Sequence, residues 1–107
     1  MGRKEQSLLK RVKASDKSAF QELFYDFHDS LFRFTVYRVH DEDVAEDITQ
    51  ETFLRVWKTR TTIQPAKSFY SLIARISSNL CYDHFRYMEV RQRHKDSIPH
   101  YGESHFD

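Results

Sequence analysis

Residues 41–57 read DEDVAEDITQETFLRVW. Wound as a helix at about 100° per residue, they put Val44, Ala45, Ile48, Thr52 and Val56 on one arc, with Phe53 and Trp57 at its edge. This is the period of a helix facing a core, not of a strand. The opposite arc carries Asp43, Asp47, Gln50, Glu51, Leu54 and Lys58, and Asp47, Gln50 and Glu51 have the i, i+3, i+4 spacing that touches on a helix surface. The acids at 41–43 suit the positive end of the helix dipole. A carboxylate-rich face is ordinarily solvated, and a single exposed leucine is ordinary as well. Leu54 ringed by acids and an amide also has the make-up of a docking face for a partner helix that presents Arg and Lys.

Outward from this stretch the helical period continues. Upstream, Phe20, Leu23, Phe24, Phe27, Leu31 and Phe34 recur at helical spacing between Ala19 and Val39 and predict the central core helix. Tyr25, Phe32 and Val36 form a second apolar strip on it, which places the helix between two neighbours. SLLKRVK at 7–13 predicts a short amphipathic helix, with Ser15 or Asp16 as N-cap for the next one. Downstream, the third helix is expected to reach about Arg60. Residues 61–66 read as a loop in which Pro65 either breaks the chain or opens the next helix. The fourth helix is expected from about Lys67 to Arg93, burying Phe69, Leu72, Ile73, Ile76, Leu80 and Tyr87.

The other side of that last helix carries Arg75, Asn79, Tyr82 and Arg86 at i, i+4, i+7 and i+11, flanked by Ser71 and Ser78. Cations for phosphates, an amide for a base edge and an aromatic ring for stacking make a usable single-strand nucleic-acid surface. Arg91, Arg93 and Lys95 extend the positive charge. The bland reading is again a solvated face; an acidic face on one helix and a basic face on the next together favour an adaptor with two partners.

Composition narrows the class. The 107 residues suit one domain, and 39% hydrophobic with 15% aromatic residues can bury a modest core. Two Gly and two Pro are too few for the turns of a β-rich fold of this size, so the expected class is all-α, a compact bundle of about four helices. No apolar run approaches the roughly 20 residues of a membrane span, and the N-terminus lacks a signal-peptide core. With the single Cys81, which reads as an inert helix residue, this leads to a cytoplasmic expectation without membrane contact. The six His lack metal-ligand spacing, a disordered surface being the reading of His94, His100 and His105. There is no ExxH spacing, phosphate loop or activated nucleophile. Neither a cofactor nor enzymatic activity is expected.

VAEDITQETFLRVW at 44–57 closely resembles the region 2.2 helix of bacterial RNA polymerase sigma factors of the extracytoplasmic function (ECF) group. SFYSLIARISSNLCYDHFR at 68–86 resembles the helix of regions 2.3 and 2.4, with Phe69, Ser71, Arg75, Ile76, Asn79, Asp83 and Arg86 at matching positions. KASDKSAFQELFYDFHDSLFRF at 13–34 has the spacing of the family's opening segment. The similarity covers roughly residues 7 to 90.

The resemblance implies the sigma region 2 fold and a role for each face. Asp43, Asp47, Gln50, Glu51 and Leu54 would dock on the clamp helices of the polymerase largest subunit. Asn79 and its basic neighbours would hold the non-template strand of the promoter −10 element. The loop from Ile63 to Ser68 resembles one that captures a flipped base to start melting. The expected DNA-binding set is Ile63, Gln64, Lys67, Ser71, Arg75, Ser78, Asn79, Tyr82 and Arg86, and an anti-sigma factor is a further implied partner. Departures exist: Leu72 stands where the family has Trp, read as a change in the packed interior. Ser77 and Ser78 stand for Ala and Arg, which removes one cation. Asp83 is read as a structural brace for Arg86 or Asn79. Residues 1–96 form the expected region 2 domain, and 97–107 a tail or the start of a linker. The family's second domain, a helix-turn-helix, is absent from this stretch, which is expected to be a domain cut in the linker. The competing reading is a sigma-like interaction domain that binds polymerase or an anti-sigma factor without engaging DNA.

Overall fold

The computed structural model describes residues 2–97, with side chains through Lys95. Its elements are α1 (Arg3–Lys13), α2 (Lys17–Val39), α3 (Glu42–Lys58), a single 3-10 turn (Arg60–Thr62) and α4 (Phe69–Ser97), with no strand among the described residues. The expected all-α bundle of four helices is what forms. The tail expected at 97–107 lies outside the described residues but for Ser97, which ends α4.

Local chemistry sets the helix boundaries. Asp16 caps α2 by accepting from the backbone N–H groups of Ser18 and Ala19 at 3.0 and 3.2 Å. A hydrogen bond from Arg11 and those backbone donors hold its carboxyl below the ordinary aspartate range. Asp41 caps α3 through the Val44 N–H at 3.1 Å. His40 takes a left-handed conformation, φ 55°, at the end of α2, so the chain reverses within two residues and lays α3 back along α2. The first helix starts at Arg3 and not at Ser7. Leu8, Leu9 and Val12 bury its inner face against α2, and packing extends a helix that propensity alone leaves short.

α2 is central, in contact with each of the other three helices. Aromatic rings lock them together. Phe24 meets Phe53 of α3 at 4.9 Å between ring centres, Phe20 meets Trp57 at 5.2 Å, and Phe27 meets Phe69 at the start of α4 at 5.1 Å. Each such pair contributes about 0.5–1.5 kcal/mol beyond the area it buries. Thr35 and Ser77, both fully buried, join α2 to α4 through a hydroxyl pair at 2.8 Å.

Three expectations need correcting. The second strip on α2 is only partly packed: Phe32 and Val36 are half-buried but Tyr25 is 70% exposed, since the line Tyr25, Asp29, Arg33, Tyr37 faces away from every neighbour. Tyr87 is 58% exposed and not buried, because α4 outruns the bundle. Its 29 residues reach about 43 Å, whereas its last fully buried residue is Cys81. The loop expected at 61–66 is displaced to 63–68, a 3-10 turn occupying 60–62, and Pro65 does not open the next helix but interrupts the helical chain in a turn four residues ahead of α4. Cys81 is buried, and burial pushes its thiol up, so it stays protonated and unreactive. No described helix is long and apolar enough to cross a membrane.

Candidate nucleic-acid interface

Two surfaces carry the residues expected to bind partners, and α3 supplies the first. Ala45, Ile48, Thr49, Thr52, Phe53 and Val56 are buried, which turns Asp43, Asp47, Gln50 and Leu54 outward. Leu54 is 46% exposed in the middle of that face. Glu51 is half-buried and paired with Arg55 at 3.0 Å, so the acid is partly neutralised within its own helix. Exposed i, i+4 pairs are worth about 0.3–0.5 kcal/mol and exchange readily for a better partner. Gln50 donates to Glu46 at 2.9 Å, and Glu46 lies 3.6 Å from His28 of α2. Glu46 escaped the sequence reading; its i, i+4 relation to Gln50 was the available signal.

The second surface runs along α4. Its start is capped by Ser68, whose hydroxyl accepts from the Ser71 N–H at 3.2 Å. With Phe69 and Ile73 packed inward, Arg75, Asn79, Tyr82 and Arg86 are all exposed along the outer side. Arg86 lies 5.9 Å from the ring centre of Tyr82, so a cation and a flat aromatic surface are presented together. Ser78 is half-buried and lies at the margin of this face. Asp83 is exposed and makes neither an ion pair with Arg86 nor a hydrogen bond with Asn79 among the described contacts, so the bracing expected of it is not made.

A cavity of about 320 Å³ opens where this face meets the chain between α3 and α4. Its apolar lining is Leu9, Ile63, Phe69 and Leu72; its polar lining is Thr59, Thr62, Gln64, Ser68 and Ser71, with Lys67 and Arg75 adding positive charge. Five of the residues expected to bind DNA therefore converge: Ile63, Gln64, Lys67, Ser71 and Arg75. Asn79, Tyr82, Arg86 and Ser78 lie further along α4 and do not line it. Ile63 is 4% exposed, so it belongs to the wall of the cavity and the core behind it, not to an open loop surface. Leu72 is a half-buried wall residue too, so its departure from Trp changes the cavity and not only the interior. Ser68 ends the loop expected to capture a base, whereas Leu9, Thr59 and Thr62 were missed and Phe69 was read only as core. Leu9 in particular carries no local signal, being an ordinary core leucine by pattern. An apolar slot edged by hydroxyls, an amide and two cations suits a flat, uncharged ring attached to an anionic backbone.

Comparison with known proteins bears on the family and the fold. The Sigma-70 region 2 family model matches residues 23–89. The ECF RNA polymerase sigma factor BldN of Streptomyces coelicolor is 34% identical over 85 residues, covering 78% of this chain and 32% of that one. The RNA polymerase sigma-H factor of Pseudomonas aeruginosa is 30% identical over 80 residues, covering 75% and 42%. ECF RNA polymerase sigma factor SigX of Bacillus subtilis is 31% identical over 78 residues, covering 72% and 40%. The chain thus spans about a third to two fifths of the length of these relatives. An NMR structure of an engineered region 2 of sigmaE in complex with GTAAAA superposes with a TM-score of 0.73 at 22% identity, over 85% of this chain and 97% of that one. At that identity the likeness establishes the shared fold.

Proposed function

The chain belongs to the sigma-70 region 2 family, among ECF relatives, and from that premise we propose that it directs core RNA polymerase to promoters by binding two partners at once. The exposed α3 face, with Leu54 as apolar anchor and Asp43, Asp47, Gln50 and Glu51 around it, docks on the clamp helices of the largest subunit. The α4 face holds the non-template strand of the −10 element: Arg75 and Arg86 take phosphates, Asn79 a base edge, and Tyr82 stacks. The cavity between Ile63 and Leu72 receives a base turned out of the duplex, which begins melting. Chemistry belongs to the polymerase, in the cytoplasm, and this chain contributes binding energy and position.

The observation that carries this reading is the continuity of the cavity with the basic helix face: Arg75 belongs to both. Phosphates held along α4 would leave the adjoining base beside the opening. The complex of the sigmaE neighbour with GTAAAA supports a short single strand as the ligand class. An anti-sigma factor, the other partner implied by the family, would compete for the α3 face.

Binding to core RNA polymerase tests the docking half. Asp47→Ala combined with Gln50→Ala is expected to weaken it by about 2–4 kcal/mol, the range of paired hot-spot residues, while circular dichroism stays unchanged because both side chains are exposed. A folded wild type that fails to bind would remove the proposal. Polymerase binding without any affinity for single-stranded DNA would leave a protein-interaction domain in its place.

A further inference from the structure

The cavity depends on a helix outside the residues matched by the family model. Glu5 of α1, half-buried, accepts a hydrogen bond from the backbone N–H of Phe69 at 2.9 Å, across 64 positions of sequence. Phe69 is the first residue of α4, and its N–H is one of the donors that a helix start leaves without an intrahelical partner. The same helix sends Leu9, 1% exposed, into the cavity lining. Beyond the end of α1, Ser15 accepts from Arg60 at 2.8 Å and so holds the 3-10 turn at the other side of the cavity. α1 and the turn that follows it are therefore fastened to both chain segments between which the cavity opens.

Building on the base-capture reading above, we infer that Glu5 is a positioning and specificity residue of this cavity. Its carboxylate ties the first turn of α4 to α1 and keeps the Phe69 side of the cavity in place. It also occupies the positive end of α4, which without it would attract an anion. A strand phosphate is thereby refused at that end and left to Lys67 and Arg75, and the uncharged base is what enters. Aspartate at the same position keeps the charge but is one methylene short of Phe69. Glutamine keeps an acceptor oxygen of the right reach.

The test uses the full 107-residue chain and a fluorescent single-stranded hexamer, the tightest binder from a randomised pool, with each base removed in turn. The wild type is expected to prefer the intact strand over at least one abasic version. Glu5→Ala should reduce that preference about tenfold, the loss of the hydrogen bond that holds Phe69, while affinity for the abasic strand holds or rises. Glu5→Gln should retain the preference. A change that merely loosened the fold would weaken both strands alike, with or without glutamine, and that result overturns the inference. So does an Ala variant with the wild-type preference. If Glu5→Ala does not fold, Glu5→Asp takes its place and is read by the same two outcomes. Should the wild type itself bind intact and abasic strands equally, base capture fails first and the role of Glu5 falls with it.

Discussion

Among the threonines of the interior, one is out of step. Thr52 donates its hydroxyl hydrogen to the Ile48 carbonyl at 2.8 Å, and Thr35 does the same to Leu31 at 2.9 Å while accepting from Ser77. Thr49 is equally buried, at 0% exposure, but its hydroxyl finds no hydrogen-bond partner among the described residues. A buried hydroxyl without a partner costs about 1–3 kcal/mol relative to one that is satisfied. Thr49→Val keeps the branched shape and removes the polar atom. It is therefore expected to leave the fold unchanged and raise the stability in urea unfolding by about 1 kcal/mol. A loss of stability would mean that the hydroxyl has a partner after all. Ser77, by contrast, stands where the family resemblance places Ala, and its pairing with Thr35 explains how a hydroxyl is accommodated there.

At the scale of elements, α3 and α4 behave differently along their lengths. α3 is packed from Ala45 to Val56, so its outer face is held rigidly. α4 is packed only in its first half. Beyond Cys81 its inward stripe continues through His84, Tyr87 and Met88, with Phe85 beside it, but no helix among the described residues covers it there, and Tyr87 and Met88 are 58% and 46% exposed. Helix hydrogen bonds without tertiary cover open locally at low free energy. Amide hydrogen exchange is therefore expected to be faster by more than about a hundredfold over 85–95 than over 72–81, corresponding to about 3 kcal/mol of protection. Uniform protection along α4 would show that something covers the second half in solution.

The described residues form an elongated body, 60 × 23 × 20 Å, and the chain has a formal net charge of only +1. Near-neutrality hides a separation of charge, acids on the outer face of α3 and cations along α4. That separation sets how the chain should respond to salt. If Lys67, Arg75 and Arg86 contact phosphates, single-strand affinity should fall with log salt at a slope of about −2, from about 0.7 per phosphate released. Arg75→Ala or Arg86→Ala should each flatten the slope by about 0.7. A slope untouched by both substitutions would place the strand elsewhere on the molecule.

Four helices, the inward arcs of α2 and α3, and the outward placement of Leu54, Arg75, Asn79, Tyr82 and Arg86 were legible in the sequence. Each follows from a period of 3.6 residues, and a period is a local property of the chain. The exposure of Tyr87 was not legible, because the apolar stripe of α4 continues past the point where its neighbours end, and nothing near residue 87 records that. Ile63 could be placed in a connection between helices but not known to be buried, since its cover comes from other elements. The cavity joins Leu9, Ile63 and Arg75, and the hydrogen bond from Phe69 to Glu5 spans 64 positions. The sequence by itself determined which surfaces carry which chemistry. Only the tertiary structure decided where they meet, because contacts between distant residues depend on how whole helices pack and not on the pattern within any one of them.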